Sequence, residues 1–340
     1  MKLSLYPYRL EFKFPFKIAH GTRTGTDVVF VKIEHKNHVG WGEATLPPYL
    51  PETQTSVIDF CTQFAREYAN HGLHDWVAGL SNVQTNMSAK AALDMALWNL
   101  KANLEGKSIA GLLGIAFTEF PLSTYTIGVS GFEEMQQKIA EATALGFRIF
   151  KLKLNGEKDE EVIRNFKKLS SAQFAVDVNQ GWKTVEETLA NIKWLKKEGC
   201  ILVEQPLPKD MLAEMGDVKR KSTLPVYADE SCQRLSDIGK LRDCFHGINI
   251  KLMKCGGITE AYQMILRARA NGLKVLIGCM SESTVGCATA AQLTPMVDFA
   301  DLDGPFLIKN DPFDGIEIRQ GQIKLKALWQ KINIPPQPLL

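Results

Sequence analysis

The sequence predicts an α/β protein built as a parallel (β/α) barrel behind an N-terminal α+β unit. Two observations carry this: eight short apolar strands alternate with amphipathic segments from about residue 121 onward, and the region before them alternates in strand fashion and then turns helical. A third excludes an open nucleotide-binding sheet, because no strand ends in a GxGxxG phosphate loop.

Residues 1–56 read as an antiparallel meander, with DVVFVKIEHKN as one strand and a turn expected at Gly40-Trp41-Gly42. Residues 57–114 read as helical. In SAKAALDMALWNLKANLEGKS, Ala91, Met95, Trp98 and Ala102 fall on one helical face, with Ser88 as the expected N-cap and Gly106 as the stop. The barrel strands are STYTIGV, RIFKLKL, FAVDVN, ILVEQP, PVYADES, GINIKLM, KVLIGCM and VDFADLD. The segment GIEIRQGQIKLKAL is a hairpin returning to the first unit, before a proline-rich tail. The expected division is residues 1–120, completed by 316–340, and a barrel of residues 121–315.

At 340 residues, with 45% hydrophobic and 23% charged side chains, the chain has the composition of an ordinary soluble protein. A formal charge of +2 offers no basic field for nucleic acid or an anionic membrane. No apolar run suffices to span a bilayer, and the N-terminal stretch has no signal-peptide pattern. Seven cysteines without a CxxC pair suggest buried reduced thiols and a cytoplasmic protein.

Five successive strands end in ionisable residues: Lys153, Asp177, Glu204, Asp229 and Lys251, spaced by 24, 27, 25 and 22 residues. One strand–helix unit of such a barrel takes roughly 30 residues, so these side chains occupy equivalent places and converge on the C-terminal mouth. Asp177, Glu204 and Asp229 offer oxygen ligands only, which suits a hard cation, Mg²⁺ before Mn²⁺ or Ca²⁺. Helix caps are the plainer alternative, but caps follow a strand and do not sit within its last residues. Lys151 and Lys153, two apart, share a face; if that face is inward, each should depress the other's pKa toward neutrality and make a base able to take a proton from carbon. Lys251 would approach from the opposite side. Asp301 and Asp303 share a face at the last strand's end and could hold a substrate cation. Asn179 and Glu230, beside ligand positions, would orient them. His35 and His38 belong to a surface strand, and Met95 and Trp98 to the core.

Lys151-Leu152-Lys153, Asp177-Val178-Asn179-Gln180-Gly181-Trp182, Glu204-Gln205-Pro206, Asp229-Glu230-Ser231 and Asn249-Ile250-Lys251 together resemble the muconate lactonizing enzyme subgroup of the enolase superfamily. The closing Asp301-Leu302-Asp303 resembles the signature of its dipeptide epimerases. The resemblance implies a modified (β/α)7β barrel under a capping domain, one Mg²⁺ per subunit on Asp177, Glu204 and Asp229, and Lys153 and Lys251 as the two bases of a 1,1-proton transfer through an enediolate. It implies that Lys151 and Thr126 contact the substrate and that Asp301 and Asp303 hold the α-ammonium of a dipeptide. Murein-peptide metabolism is the implied setting, and a homo-oligomer the expected assembly.

In relatives acting on Ala-Glu, an arginine of the capping loop pairs with the glutamate side chain. By alignment Gly21 stands in its place, with Arg23 two residues later and Ser281 at the strand-seven end. A small or hydrophobic C-terminal residue, as in Ala-Ala, is therefore expected rather than Glu. The alternatives are an L-Ala-D/L-Glu epimerase, an o-succinylbenzoate synthase or N-acylamino acid racemase on the same scaffold, a Schiff-base aldolase, and a non-catalytic metal-binding barrel.

Overall fold

A computed structural model of the chain describes residues 1–18, 21–116, 120–331 and 334. Strands β1 (Lys2–Ile18), β2 (Gly21–His35) and β3 (His38–Leu46) form an antiparallel sheet in the order β1-β2-β3. Helices α1 (Gln54–Glu67), α2 (Leu73–Ser81) and α3 (Met87–Glu105) cover one face of it. The contact is apolar, with Leu5, Val29, Val31 and Ile33 packed against Phe64, Trp76, Leu93 and Leu97.

The turn expected at Gly40–Gly42 is not there. The chain reverses at Lys36 (φ 47°) and Asn37 (φ 64°), the two left-handed residues that match a tight hairpin to the twist of its strands. Gly40 and Gly42 lie inside β3 because α3 crosses it at van der Waals contact. A Cβ on Gly42 would stand 1.9 Å from the Ala92 carbonyl oxygen, and one on Gly40 2.0 Å from that of Ala96. Gly42→Ala is therefore expected to destabilise the fold by about 1–3 kcal/mol through overpacking, read as a lower denaturation midpoint at unchanged m-value.

The expected cap of α3 also moves. Asn86, with φ 51°, precedes the helix, and the Glu52 carboxylate accepts from the amides of Ser88 and Ala89 at 3.0 and 3.1 Å, so Ser88 lies inside. The helix stops at Gly106, φ 62°, as expected. The face carrying Ala91, Met95 and Ala102 joins the barrel core, while Ala92 and Ala96 face the capping sheet. Trp98 donates Nε1–H to Thr259 Oγ1 at 2.8 Å, so α3 fixes one unit on the other.

Eight parallel strands follow in sequence order: β4 (Thr124–Ile127), β5 (Ile149–Lys153), β6 (Gln173–Asp177), β7 (Cys200–Glu204), β8 (Val226–Ala228), β9 (Gly247–Lys251), β10 (Lys274–Gly278) and β11 (Phe299–Asp301). A parallel bridge between Ser123 and Ala300 joins the last strand to the first and closes the barrel. Alternation sorts the side chains. Phe174, Val176, Val203, Ile248, Ile250, Val275 and Ile277 belong to the large core beneath the outer helices. Ala175, Leu202, Tyr227 and Leu276 form a separate small cluster that plugs the barrel interior. One step further along, β5, β6, β7, β9 and β11 turn the interior ionic, with Lys153, Asp177, Glu204, Lys251 and Asp301.

The hairpin of β12 (Phe313–Arg319) and β13 (Gln322–Gln330) contributes Ile316, Ile318 and Ile323 to the barrel core. Its Phe313 packs edge-on against Phe30 and Trp41 of the capping sheet, with ring centroids 5.1 and 5.0 Å apart. The proline-rich tail lies, apart from Ile334, outside the described residues. The arm of β1 runs beside the segment after β11, through a bridge between Phe12 and Ile308 and the Lys309 amide donating to Glu11 O at 3.0 Å. That arm brings the start of β2 over the barrel mouth. All seven cysteines are free, and all but Cys244 are buried. No described helix is long and apolar enough to cross a membrane.

Candidate active site

Register aligns the ionic residues. Lys153 pairs with Asp177 and Asp177 with Glu204, while Gly278 pairs with both Lys251 and Asp301. Asp229 stands two residues beyond Tyr227, the partner of Glu204, and so presents its side chain one step higher. One ligand oxygen from each of Asp177, Glu204 and Asp229 lies within 4.8 Å of the others, and all three residues are buried. Three converging carboxylates with no thiol or imidazole among them fit a hard divalent cation, with room left for substrate oxygens.

Cations surround this triad. Lys151 Nζ reaches Asp301 Oδ2 at 2.8 Å, Glu204 Oε2 at 2.9 Å and Asp177 Oδ2 at 3.2 Å. Lys153 pairs with Asp177 Oδ2 at 2.6 Å, and Lys251 with Asp229 Oδ2 at 2.7 Å. The two lysines thus flank the triad from opposite ends. The expectation that lysine–lysine repulsion pulls Lys151 toward neutrality is not met. Burial does lower it, but Asp301, Glu204, Asp177 and Asp229 outweigh that and hold it well above the usual lysine range. Lys251 is likewise raised, burial being outweighed by Asp229. The carboxylates split in response. Burial works to raise all three; Lys153 and Lys151 nevertheless take Asp177 down to about 2, and Lys251 and Lys254 take Asp229 well below its ordinary value, whereas Glu204 rises to about 7.

Asp301 accepts from Thr124 Oγ1 at 2.5 Å as well as from Lys151, so both of its oxygens are engaged. Asp303 accepts from the Thr126 amide at 2.5 Å on one oxygen and, over a longer distance, from the Cys279 thiol at 4.0 Å on the other. The pair expected to act alike therefore has different partners, Asp301 being tied to Lys151 and Thr124 and Asp303 to Thr126, although both are buried and both line the cavity. The Asn179 amide donates to Asp177 Oδ1 at 3.0 Å, and its side chain approaches Glu230 Oε1 at 3.4 Å. This needs left-handed backbone at Asn179 (φ 47°) and Gln180 (φ 67°), which turns the chain back over Asp177.

The cavity above the triad is about 310 Å³ and gathers residues from both units. Thr126, Lys151, Lys153, Asp229, Glu230, Asn179, Lys251, Ser281, Asp301 and Asp303 all line it; Asp177 and Glu204 lie beneath. Arg23, a candidate substrate contact, lines it too, alongside Tyr49, whose hydroxyl meets Met280 Sδ at 3.0 Å. Ala19 and His20 of the same loop lie outside the described residues. His35 and His38 flank the β2–β3 hairpin and belong to no metal-type cluster among the described residues.

Several contributors escaped the sequence reading. Lys254 Nζ reaches Asp229 Oδ1 at 2.6 Å, Asp229 O at 2.7 Å and Asn249 O at 3.0 Å. Asn249 Nδ2 donates to Glu204 Oε1 at 2.9 Å, and Gln205 Oε1 accepts from the Asp229 and Ser231 amides at 2.9 and 3.1 Å. Asn249 and Thr124 were legible in principle, since each stands two residues before a site residue on the same face. Lys254 carried no such signal, because it projects from a short helix, Leu252–Cys255, that follows Lys251.

Residues 3–114 match the mandelate racemase/muconate lactonizing enzyme N-terminal domain, and residues 134–325 the enolase C-terminal domain-like family. The L-Ala-D/L-Glu epimerase of Bacteroides thetaiotaomicron is 41% identical over 96% of this chain and 86% of its own length. A substrate-liganded complex of the L-Ala-D/L-Glu epimerase from Bacillus subtilis superposes with TM-score 0.88 at 28% identity, covering 99% of both chains. The dipeptide epimerase from Cytophaga hutchinsonii, complexed with Mg and D-Ala-L-Val, gives TM-score 0.88 at 25% identity over 96% of this chain and 95% of that one.

Proposed function

The chain belongs to the enolase superfamily and, within it, to the dipeptide epimerase family, and from that premise we infer that it inverts the α-carbon of the C-terminal residue of an Ala-Xaa dipeptide, with Lys153 and Lys251 as the two bases. The observation that carries this reading is the placement of those lysines on β5 and β9, on either side of one acidic triad and in one cavity.

Asp177, Glu204 and Asp229 would hold one Mg²⁺, which when bound supplies a Lewis acid for the substrate carboxylate. The protein's own part is orientation and proton handling. Lys151, buried among carboxylates, is a fixed cation beside the place where charge develops as the α-proton leaves. Asp303, which lines the cavity, receives the dipeptide ammonium, and Asp301 keeps Lys151 and Thr124 in place. Lys153 and Lys251 then remove and return the proton on opposite faces, which inverts the centre.

Arg23 in the cavity wall changes the reading of the second residue. The preference for a small or hydrophobic side chain rested on Gly21 in the arginine's place, on Arg23 lying two residues later and on the small Ser281; a guanidinium lining the cavity favours an acidic one, as in Ala-Glu. A neutral residue is the second reading, supported by the partly apolar wall of Tyr49, Leu50 and Met280. Incubating dipeptide libraries with enzyme and Mg²⁺ in D₂O, with deuterium read at the C-terminal α-carbon, tests the activity. Arg23→Ala is expected to raise KM for L-Ala-L-Glu about 10- to 100-fold, the range implied by about 1.5–3 kcal/mol of charge-assisted hydrogen bonding, and to leave L-Ala-L-Ala little changed. Faster turnover of Ala-Ala than of Ala-Glu by the unaltered enzyme would sink the acidic reading.

A further inference from the structure

Two buried carboxyl groups outside the triad sit where the capping sheet touches the barrel. Glu43, on β3, and Glu282, between β10 and the helix Thr284–Ala291, are 0% and 1% exposed. Their partners differ. Glu43 accepts from the Ser283 amide at 3.0 Å and its hydroxyl at 2.5 Å, from the Gly286 amide at 3.2 Å and from the Thr45 hydroxyl at 2.8 Å. The first three donors belong to the N-terminal turn of that helix, where a negative charge is stabilised. Among the described residues Glu282 accepts a single hydrogen bond, from the Met280 amide to Oε1 at 2.8 Å, and its buried Oε2 has no hydrogen-bond partner.

A carboxylate is not left charged in such a place beside another one. Every good donor goes to Glu43, so Glu282 is the member that keeps a proton. In agreement, burial first and Glu43 next push the Glu282 carboxyl up to about 8, against a downward pull from the Met280 amide and Lys251, whereas burial raises Glu43 only to about 7 because the Ser283 and Thr45 donors pull it back. Its location ties two walls of the cavity together. Met280 and Ser281, just before it, line the substrate cavity. Its own backbone seats on Gly304, directly after Asp303: a Cβ there would come within 2.4 Å of the Glu282 carbonyl oxygen.

We propose that Glu282 is a positioning residue for the substrate's second residue: a neutral acid that holds the Met280–Ser281 wall in place while Glu43 ties the same segment to the capping sheet. The assignment of its effect to the second residue rests on the epimerase reading. Glu282→Gln keeps the acceptor for the Met280 amide and the neutrality, and is expected to leave kcat and KM near those of the parent. Glu282→Ala is expected to raise KM about tenfold with kcat held, the pattern of lost substrate binding. An amide variant as impaired as the alanine one, or a loss confined to kcat, would overturn the proposal. The protonation is tested without substrate: the infrared difference spectrum of parent minus Glu282→Gln at neutral pH should contain a carboxylic-acid C=O band, and its absence also overturns the proposal. Because that band is readable in a protein that turns over no dipeptide, failure of the epimerase reading and failure of this one are distinguishable.

Discussion

Lys251→Ala is expected to lower epimerisation by about 10³- to 10⁴-fold, and Lys153→Ala by a similar factor, the upper range for loss of a positioned acid or base. The two variants should differ in what they retain. Each keeps one lysine beside the triad, Lys153 on Asp177 or Lys251 on Asp229. A single base can still lift the proton from the face it meets and return a deuteron to that same face. In D₂O, each variant should therefore exchange the α-proton of one stereoisomer without inverting it, and the two should choose opposite isomers. Full inversion by either variant would refute the two-base assignment. The substitutions should not unfold the chain, since both side chains stand at strand ends, and circular dichroism of each variant checks this. Lys251→Ala does strip one of two ammonium partners from Asp229, but Lys254 still holds the other oxygen at 2.6 Å.

Much of this site was legible because a parallel barrel converts sequence spacing into angular position. Five ionisable residues one strand–helix unit apart are brought to one mouth by strand pairing alone, and the register of Lys153, Asp177 and Glu204 bears this out. What stayed hidden depends on contacts between elements. Gly40 and Gly42 look like turn residues in the one-dimensional pattern, yet they exist to let α3 approach the sheet, which no local rule reveals. Whether Lys151 is neutral or charged depends on the number of carboxylates within reach, and three lie within 3.2 Å. Arg23 could not be placed from its distance to Gly21, because its position follows from where β1 is tethered beyond β11. Glu43 and Glu282, 239 residues apart, meet only after the cap has docked.

Glu204→Gln is expected to remove both activity and the response to magnesium, and the second readout is the more telling. In the parent, Mg²⁺ should raise the unfolding temperature, because a ligand bound only by the folded state adds about 2.7 kcal/mol at a concentration 100 times its dissociation constant. EDTA should reverse that gain and abolish turnover together. Glu204 is the carboxylate most sensitive to this test. Asp177 and Asp229 are held charged by lysines, whereas burial raises Glu204 to about 7, so in the isolated chain it is the carboxylate with the weakest claim to its charge. Glutamine preserves its shape and can still take the Asn249 donor at 2.9 Å, but its amide nitrogen then faces the Lys151 ammonium that Oε2 meets at 2.9 Å, so circular dichroism of the variant checks that the fold is kept while an anionic oxygen is lost. Activity should fall by about 10³-fold or more, in line with removal of a principal electrostatic element. Asn249→Ala, which removes only the orienting donor, should weaken the magnesium effect by about 10- to 100-fold in affinity and not abolish it. An unaltered magnesium-dependent rise in Glu204→Gln would place the cation elsewhere. A rise lost in Glu204→Gln and merely shifted in Asn249→Ala would identify the triad as the metal's seat and Asn249 as the residue that aims it.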